Sequence, residues 1–238
     1  MRTGGALWRL LLAGGALALS ACAPMAVQRQ AQQLERKAGE EPKVVVMPLD
    51  VELSELTAGG VQEPQAEWTA AALKNMHAAL EEQAQHYKVR LLDYQEQRGT
   101  PEDQATCLDL VKLHRAVGNT VLLNHYNPMF QLPSKGAKFD WSLGREAAAI
   151  TRTQGADYAL FIYVRDSYAS SGRVAVMVVA AMFGAVATGG TQVGFASLVD
   201  LKSGDIVWFN RLARAEGDLR TPNAATETVK VLISDALK

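Results

Sequence analysis

The chain predicts a single α/β (α+β) domain, a mixed sheet with an antiparallel hairpin and helices packed on it. Three observations carry that expectation. Short β-branched or apolar runs alternate with stretches of helical periodicity, the pattern of a layered fold. Two strand-like runs near the C-terminus are joined by Lys202-Ser203-Gly204-Asp205, a hairpin turn with glycine in place. The chain of 238 residues shows no internal repeat and no composition shift that would separate a second domain.

The fold is expected to begin at Lys43. Residues 1–21 read as a lipoprotein signal peptide: a basic end (Arg2, Arg9), an apolar stretch from Leu10 to Leu19, small residues, then Cys22. No acidic residue precedes Glu35. Leu19-Ser20-Ala21-Cys22 resembles the bacterial lipobox, which implies cleavage before Cys22 and acylation of its thiol. At roughly 0.8 kcal/mol per buried CH₂, two or three acyl chains make a practically permanent anchor. Ala23 in place of aspartate favours the outer membrane by the same resemblance. Residues 22–42 are then the acylated cysteine and a tether rich in Gln, Glu, Lys and Ala, and 43–238 the periplasmic domain.

Within the domain, Lys43-Val44-Val45-Val46-Met47-Pro48-Leu49 reads as a buried strand closed by Pro48. Pro64 opens a helix whose apolar stripe is Trp68, Ala72, Met76, Leu80, Ala84 and Tyr87. Residues 87–94 read as a second strand. Thr100-Pro101 caps and starts a second helix that is expected to run past Gly118. Asn127-Pro128, Pro133 and Gly136 mark a loop. A third helix is expected over 142–154, stopped by a left-handed Gly155. Residues 158–164 form a central strand, 192–201 and 206–214 the hairpin, and Thr221-Pro222 starts a last helix to Leu237.

Composition excludes several function classes. Removal of residues 1–21 leaves 217 residues with 22 Lys+Arg against 25 Asp+Glu, a balance that gives nucleic acid no footing. Cys107 is the only cysteine besides Cys22, so no disulfide is available within the chain, and its helical setting makes it a buried thiol. The four histidines (His77, His86, His114, His125) show no metal-ligand spacing, and no phosphate-loop, dinucleotide or nucleophile-elbow motif occurs. No catalytic residue, metal or cofactor is expected.

Two segments remain as candidates. Residues 165–173, Arg165-Asp166-Ser167-Tyr168-Ala169-Ser170-Ser171-Gly172-Arg173, read as a polar loop at a strand end. Arg165, Asp166, Tyr168 and Arg173 are its candidate ligand or partner contacts, against a plain structural turn. Residues 174–187, VAVMVVAAMFGAVA, contain no polar side chain. Three readings stand: core of the domain, which is the default; an apolar surface completed by another subunit, through Val178, Met182 and Phe183; or a segment dipping into the membrane. Val174, Val176 and Val178 alternate like a strand whereas Ala180-Ala181-Met182 favour a helix, so periodicity leaves them open.

The motifs 155–161 (Gly-Ala-Asp-Tyr-Ala-Leu-Phe), 165–168, Gly189-Gly190 and 194–208, from Gly194-Phe195-Ala196-Ser197 to Asp205-Ile206-Val207-Trp208, resemble a group of bacterial outer-membrane lipoproteins of unassigned function. More distantly, the opening strand and the later Gly-Ala-Asp-Tyr strand are similar to the periplasmic α/β domains of the curli secretion channel family and of the N-terminal part of the Tol translocation protein. The resemblance covers residues 43–238 and implies a fold and a compartment, with no substrate. Curli-type channels carry long amphipathic hairpins where this chain has only its short apolar run.

The expectation is therefore a lipid-anchored, periplasm-facing outer-membrane lipoprotein. It would act as a non-enzymatic envelope assembly or interaction component, with the membrane, further copies of itself or an envelope protein as partner. A small-ligand module using 165–173 is the alternative. A hydrolase would require Asp166, Ser167 and His125 to converge.

Overall fold

The structure, a computed structural model, describes residues 28–30, 42–87, 89–136, 138–215 and 217–237. The expected signal peptide and Cys22 lie outside the described residues. In chain order the strands and helices begin with β1 (Gln28–Gln30), β2 (Lys43–Val46), β3 (Asp50–Leu56) and β4 (Gln62–Pro64). They continue with α1 (Ala66–Tyr87), β5 (Arg90–Asp93), α2 (Pro101–Asn124), α3 (Ala148–Gln154) and β6 (Tyr158–Ala169). The last elements are α4 (Ser171–Met182), β7 (Gln192–Asp200), β8 (Ile206–Arg214) and α5 (Pro222–Leu232).

The strands form one mixed sheet in the order β1-β8-β7-β6-β2-β5. β6 is its axis. Along one side it pairs antiparallel with β7, which turns back as β8. Along the other it pairs in parallel first with β2 (Val44 opposite Tyr158) and then, past the break at Met47–Leu49, with β3 (Leu56 opposite Ala169). β4 closes the β3 edge antiparallel, and β1 covers β8. Turn chemistry matches position: Gly204, in the β7–β8 turn, takes φ +81°, and Gly155, ending α3, takes φ +67°.

Period-two alternation sends the strands' side chains into two layers. Val44, Val46, Leu160, Ile162, Val164, Leu198 and Trp208 pack under α1 and α5. Val45, Met47, Phe161, Phe195 and Phe209 pack under α2 and α3. This double burial explains the uninterrupted apolar runs of β2 and β6, since neither face meets water. α1 buries Ala72, Met76, Leu80 and Ala84 of its predicted stripe, with Trp68 and Tyr87 half-covered at its ends. α2 starts as expected: the Thr100 hydroxyl accepts the Asp103 amide (3.1 Å) ahead of Pro101, and Asp103 pairs with Arg152 of α3.

Several boundaries differ from the sequence reading. β3 and β4 occupy 50–64, where no strand was expected. The tether 22–42 contains β1, because the free edge of β8 accepts three residues of it. The second strand starts at Arg90 because α1 keeps its register through Tyr87. The third helix is confined to Ala148–Gln154, after a 3₁₀ turn at Arg145–Ala147, since Ser142 instead bridges to Asp205. α5 ends at Leu232, where Asn210 of β8 donates to the carbonyls of Val231 (2.9 Å) and Leu232 (3.1 Å).

Candidate functional site

The polar segment 165–173 is not a loop. β6 continues through Ala169 and α4 starts at Ser171, with the Ser170 hydroxyl capping it by accepting the Arg173 amide (3.1 Å). The extension is paired on both sides, to β3 and to β7, so its polar residues are held by the ladder. As neighbours on a strand, Arg165 and Asp166 point to opposite faces.

Asp166 and Tyr168 come together on the α1/α5 face. The Tyr168 hydroxyl donates to Asp166 Oδ2, and Gln192 Nε2 donates to the same oxygen at 2.8 Å. The Leu219 amide donates to the Tyr168 oxygen at 2.9 Å. Burial pushes the Asp166 carboxyl above its ordinary range, opposed by the bonds from Tyr168 and Gln192. Burial, and then the bond to Asp166, push the Tyr168 phenol far above its usual value. Gln192 Oε1 in turn accepts from Arg214 Nε (2.7 Å) and Thr228 Oγ1 (3.1 Å). The Arg220 guanidinium, paired with Asp218, lies 3.9 Å from the Tyr168 ring centre and 4.6 Å from that of Trp68. This network ties β6, β7 and β8 to α5; its groups are spent on one another.

Arg165 works on the α2 face. Its NH2 donates to Asp50 Oδ1 (2.7 Å) and its NH1 to the Asp50 carbonyl (2.9 Å), while Arg115 of α2 reaches the other carboxylate oxygen at 3.4 Å. The guanidinium also stacks 4.3 Å over Tyr163. Arg165 thus fastens β3 to β6, the pairing that the sequence reading lacked.

Asp166, Ser167 and His125 do not share a contact. The Ser167 hydroxyl donates to the Thr191 carbonyl and accepts the Thr191 amide. His125, at the end of α2, meets Tyr126 and Phe139 edge-on. The histidine that does meet a serine is His114, 2.8 Å from Ser197, and both are sealed in the core. Burial lowers its pKa to about 3, so the imidazole is neutral. Cys107 is buried likewise, 3.6 Å from the Thr153 hydroxyl. Among the described residues no three His, Cys, Asp or Glu side chains gather as a metal would require.

Residues 174–187 overturn the core reading. α4 buries none of its residues. Exposure is greatest at the tip: Val174 48%, Val176 39% and Val178 52% against Met182 77%, Phe183 84% and Val186 94%. Among the described residues, the ties that fasten it are at its base, with Arg173 Nε donating to the Thr188 carbonyl (3.0 Å) and Met177 lying against Gly189. The physical reason is topological: β6 and β7 are already covered by their own helices, so the crossover between them has no core left to enter. It stands off the sheet as an apolar arm. Contiguous exposed apolar surfaces are uncommon on soluble monomers.

No family model and no curated protein sequence matches the chain. Among solved structures it is similar to the PelC dodecamer from Paraburkholderia phytofirmans, with 13% identity over 89% of this chain and 97% of that one, at a TM-score of 0.38. A second PelC dodecamer structure from that organism gives 12% identity over 90% and 97%, at 0.39. The LpoB C-terminal domain from Salmonella enterica gives 15% identity over 75% and 87%, at 0.26. At such TM-scores the likeness carries no functional argument, which rests instead on this chain's own residues.

Proposed function

We propose that the protein is a non-enzymatic component of a bacterial cell envelope, anchored through an acylated Cys22 and acting by contact through α4. The exposed apolar arm is the observation that carries this reading. Leaving Val174, Val178, Met182, Phe183 and Val186 in water costs about 25 cal/mol for each Å² of apolar surface, a cost recovered only when something covers them. The lipobox at 19–22 supplies the compartment. The polar clusters favour no chemistry, because Asp166, Tyr168, Gln192 and Arg165 are each engaged in holding elements together. A ligand module at 165–173 is the weaker reading for the same reason: its candidate contacts divide between two faces of the sheet and the base of α4.

The test compares the chain with a version in which a short Gly-Ser linker replaces 174–187. Thermal unfolding that is unchanged, together with loss of the chain's assembly or envelope partner, is the expected result. Unfolding on deletion overturns the contact role. Mass spectrometry of the N-terminal peptide checks the anchor independently; a free, unprocessed Cys22 overturns the lipoprotein reading.

A further inference from the structure

We propose that the apolar arm enters the same lipid monolayer that holds the acyl chains of Cys22, so that the domain is fixed to the membrane at two points. This rests on the anchored reading above and names the partner of its contact surface. The strand register carries it. β1 runs antiparallel to β8, with Gln28 opposite Asn210 and Gln30 opposite Trp208, so the N-terminal end of β1 faces the Arg214 end of β8. Arg214 pairs with Gln192, and Gln192 with Asp166, near the end of β6 from which α4 springs. The N-terminal end of β1 and the base of α4 therefore face one pole of the sheet. Five residues lie between Cys22 and Gln28, so the two are at most about 22 Å apart at ~3.3–3.6 Å per residue.

That pole also carries the β3–β4 turn, whose strands place Glu55 opposite Glu63. Leu56 of β3 lies opposite Ala169, which brings the β3–β4 turn and its exposed Val61 beside the base of α4, and Arg173 NH1 lies within reach of Gly60. The opposite pole of the sheet carries exposed Lys43, Asp157, Lys202 and Asp205. Between Arg173 and Asp200 the chain has no charged residue and no histidine. Met177 and Ala180 turn half-buried toward the returning chain at Gly189, and the faces left exposed beyond Arg173 carry no polar side chain, whereas a helix that docks on a second copy through one seam keeps a polar outer face. The length also fits. Twelve helical residues extend about 18 Å, close to one leaflet of a hydrocarbon core of roughly 30 Å and too short to cross it.

The test uses the full acylated chain, purified from membranes and reconstituted into vesicles of phosphatidylethanolamine and phosphatidylglycerol. An environment-sensitive fluorophore is placed at Val186→Cys in the arm or at Lys202→Cys on the opposite pole; Cys107 is buried and does not compete. Doxyl-labelled lipid should quench the probe at 186 and leave that at 202 bright. Phe183→Asp should weaken the quenching at 186 without altering thermal unfolding. Vesicle-bound protein with an unquenched probe at 186 overturns the lipid assignment and leaves the anchor standing. Disulfide-linked dimers of the unlabelled Val186→Cys chain under mild oxidation by copper phenanthroline, with the labelled probe unquenched, give the arm to a second copy and overturn it too. Protein that does not float with vesicles overturns the arm and the anchor together, and quenching at 186 with an unacylated Cys22 would sink the anchor alone.

Discussion

His114 of α2 and Ser197 of β7, 83 positions apart in the chain, are joined by a 2.8 Å hydrogen bond inside the α2/α3 layer. Phe161 stacks on one side of the imidazole, at 4.9 Å between ring centres, and Phe195 tilts against it at 5.2 Å. A polar pair is thereby satisfied where neither group meets water, which is the condition for keeping it there.

That burial makes stability sensitive to acid. An unfolded histidine takes up its proton near pH 6.5, whereas His114 in the fold does so only near 3. The unfolded chain therefore binds more protons between those values, and stability falls as pH drops through that window, by up to about 1.4 kcal/mol per pH unit. Urea unfolding of the wild type and of His114→Gln at several pH values reads this out. The variant should lose a slope of about one proton; an unchanged slope would mean the imidazole titrates freely in the fold.

Gly118→Ala is expected to destabilise. Alanine is the better helix former by about 1 kcal/mol, but a Cβ at 118 would sit 2.0 Å from Phe195 Cε2 in a closed core. Overpacking of this kind typically costs about 1–3 kcal/mol, so the net change should be a loss. Chemical denaturation decides it, and a more stable variant would contradict the close approach of α2 to β7.

Asp166→Ala strips the acceptor shared by Tyr168 and Gln192 and leaves both donors buried. The cost should be about 1–3 kcal/mol. Asp166→Asn should cost less, because it retains an acceptor oxygen and removes a carboxylate whose proton burial already favours. Melting temperatures at neutral pH should rank wild type and Asn close together and Ala well below.

Val178→Asp separates the exposed arm from a core segment. With Val178 in water the variant should stay folded, within about 0.5 kcal/mol of wild type. Circular dichroism on heating checks this. Cooperative unfolding lost at ordinary temperature would put the side chain back in the interior.

Much of the layering was legible because it is local. The Val44–Val46 run, the stripe from Ala72 to Ala84 and the Gly204 turn each announce their element through spacing or a required backbone angle. The extension of β6 was not legible, since Arg165, Asp166 and Ser167 look like a loop until their partners are known. Those partners are Asp50, Gln192 and Thr191, set 115, 26 and 24 positions away. β3 was missed for a related reason: Pro48 ends β2, and Glu55-Leu56 breaks the alternation that Val51, Glu52, Leu53 and Ser54 begin. Residues 174–187 show the limit most clearly. Apolar composition says that such a segment avoids water, and only the finished sheet shows that the interior has no place for it.

The parallel pairing of β2 and β3 with β6 sets an order of events as the chain emerges N-terminus first into the compartment where it folds. The Lys43 amide donates to a carboxylate of Asp157, 114 positions downstream, at the point where β2 meets β6. Val44, Val45 and Val46 emerge early and must wait for α1, β5, α2 and α3 to follow before that neighbour is present. The later hairpin of β7 and β8 closes on itself almost at once. The emerging chain thus carries a leading strand whose β6 side stays open, with only β5 to pair it, until Tyr158 and its neighbours appear, an interval in which a chaperone has something to hold and aggregation something to find.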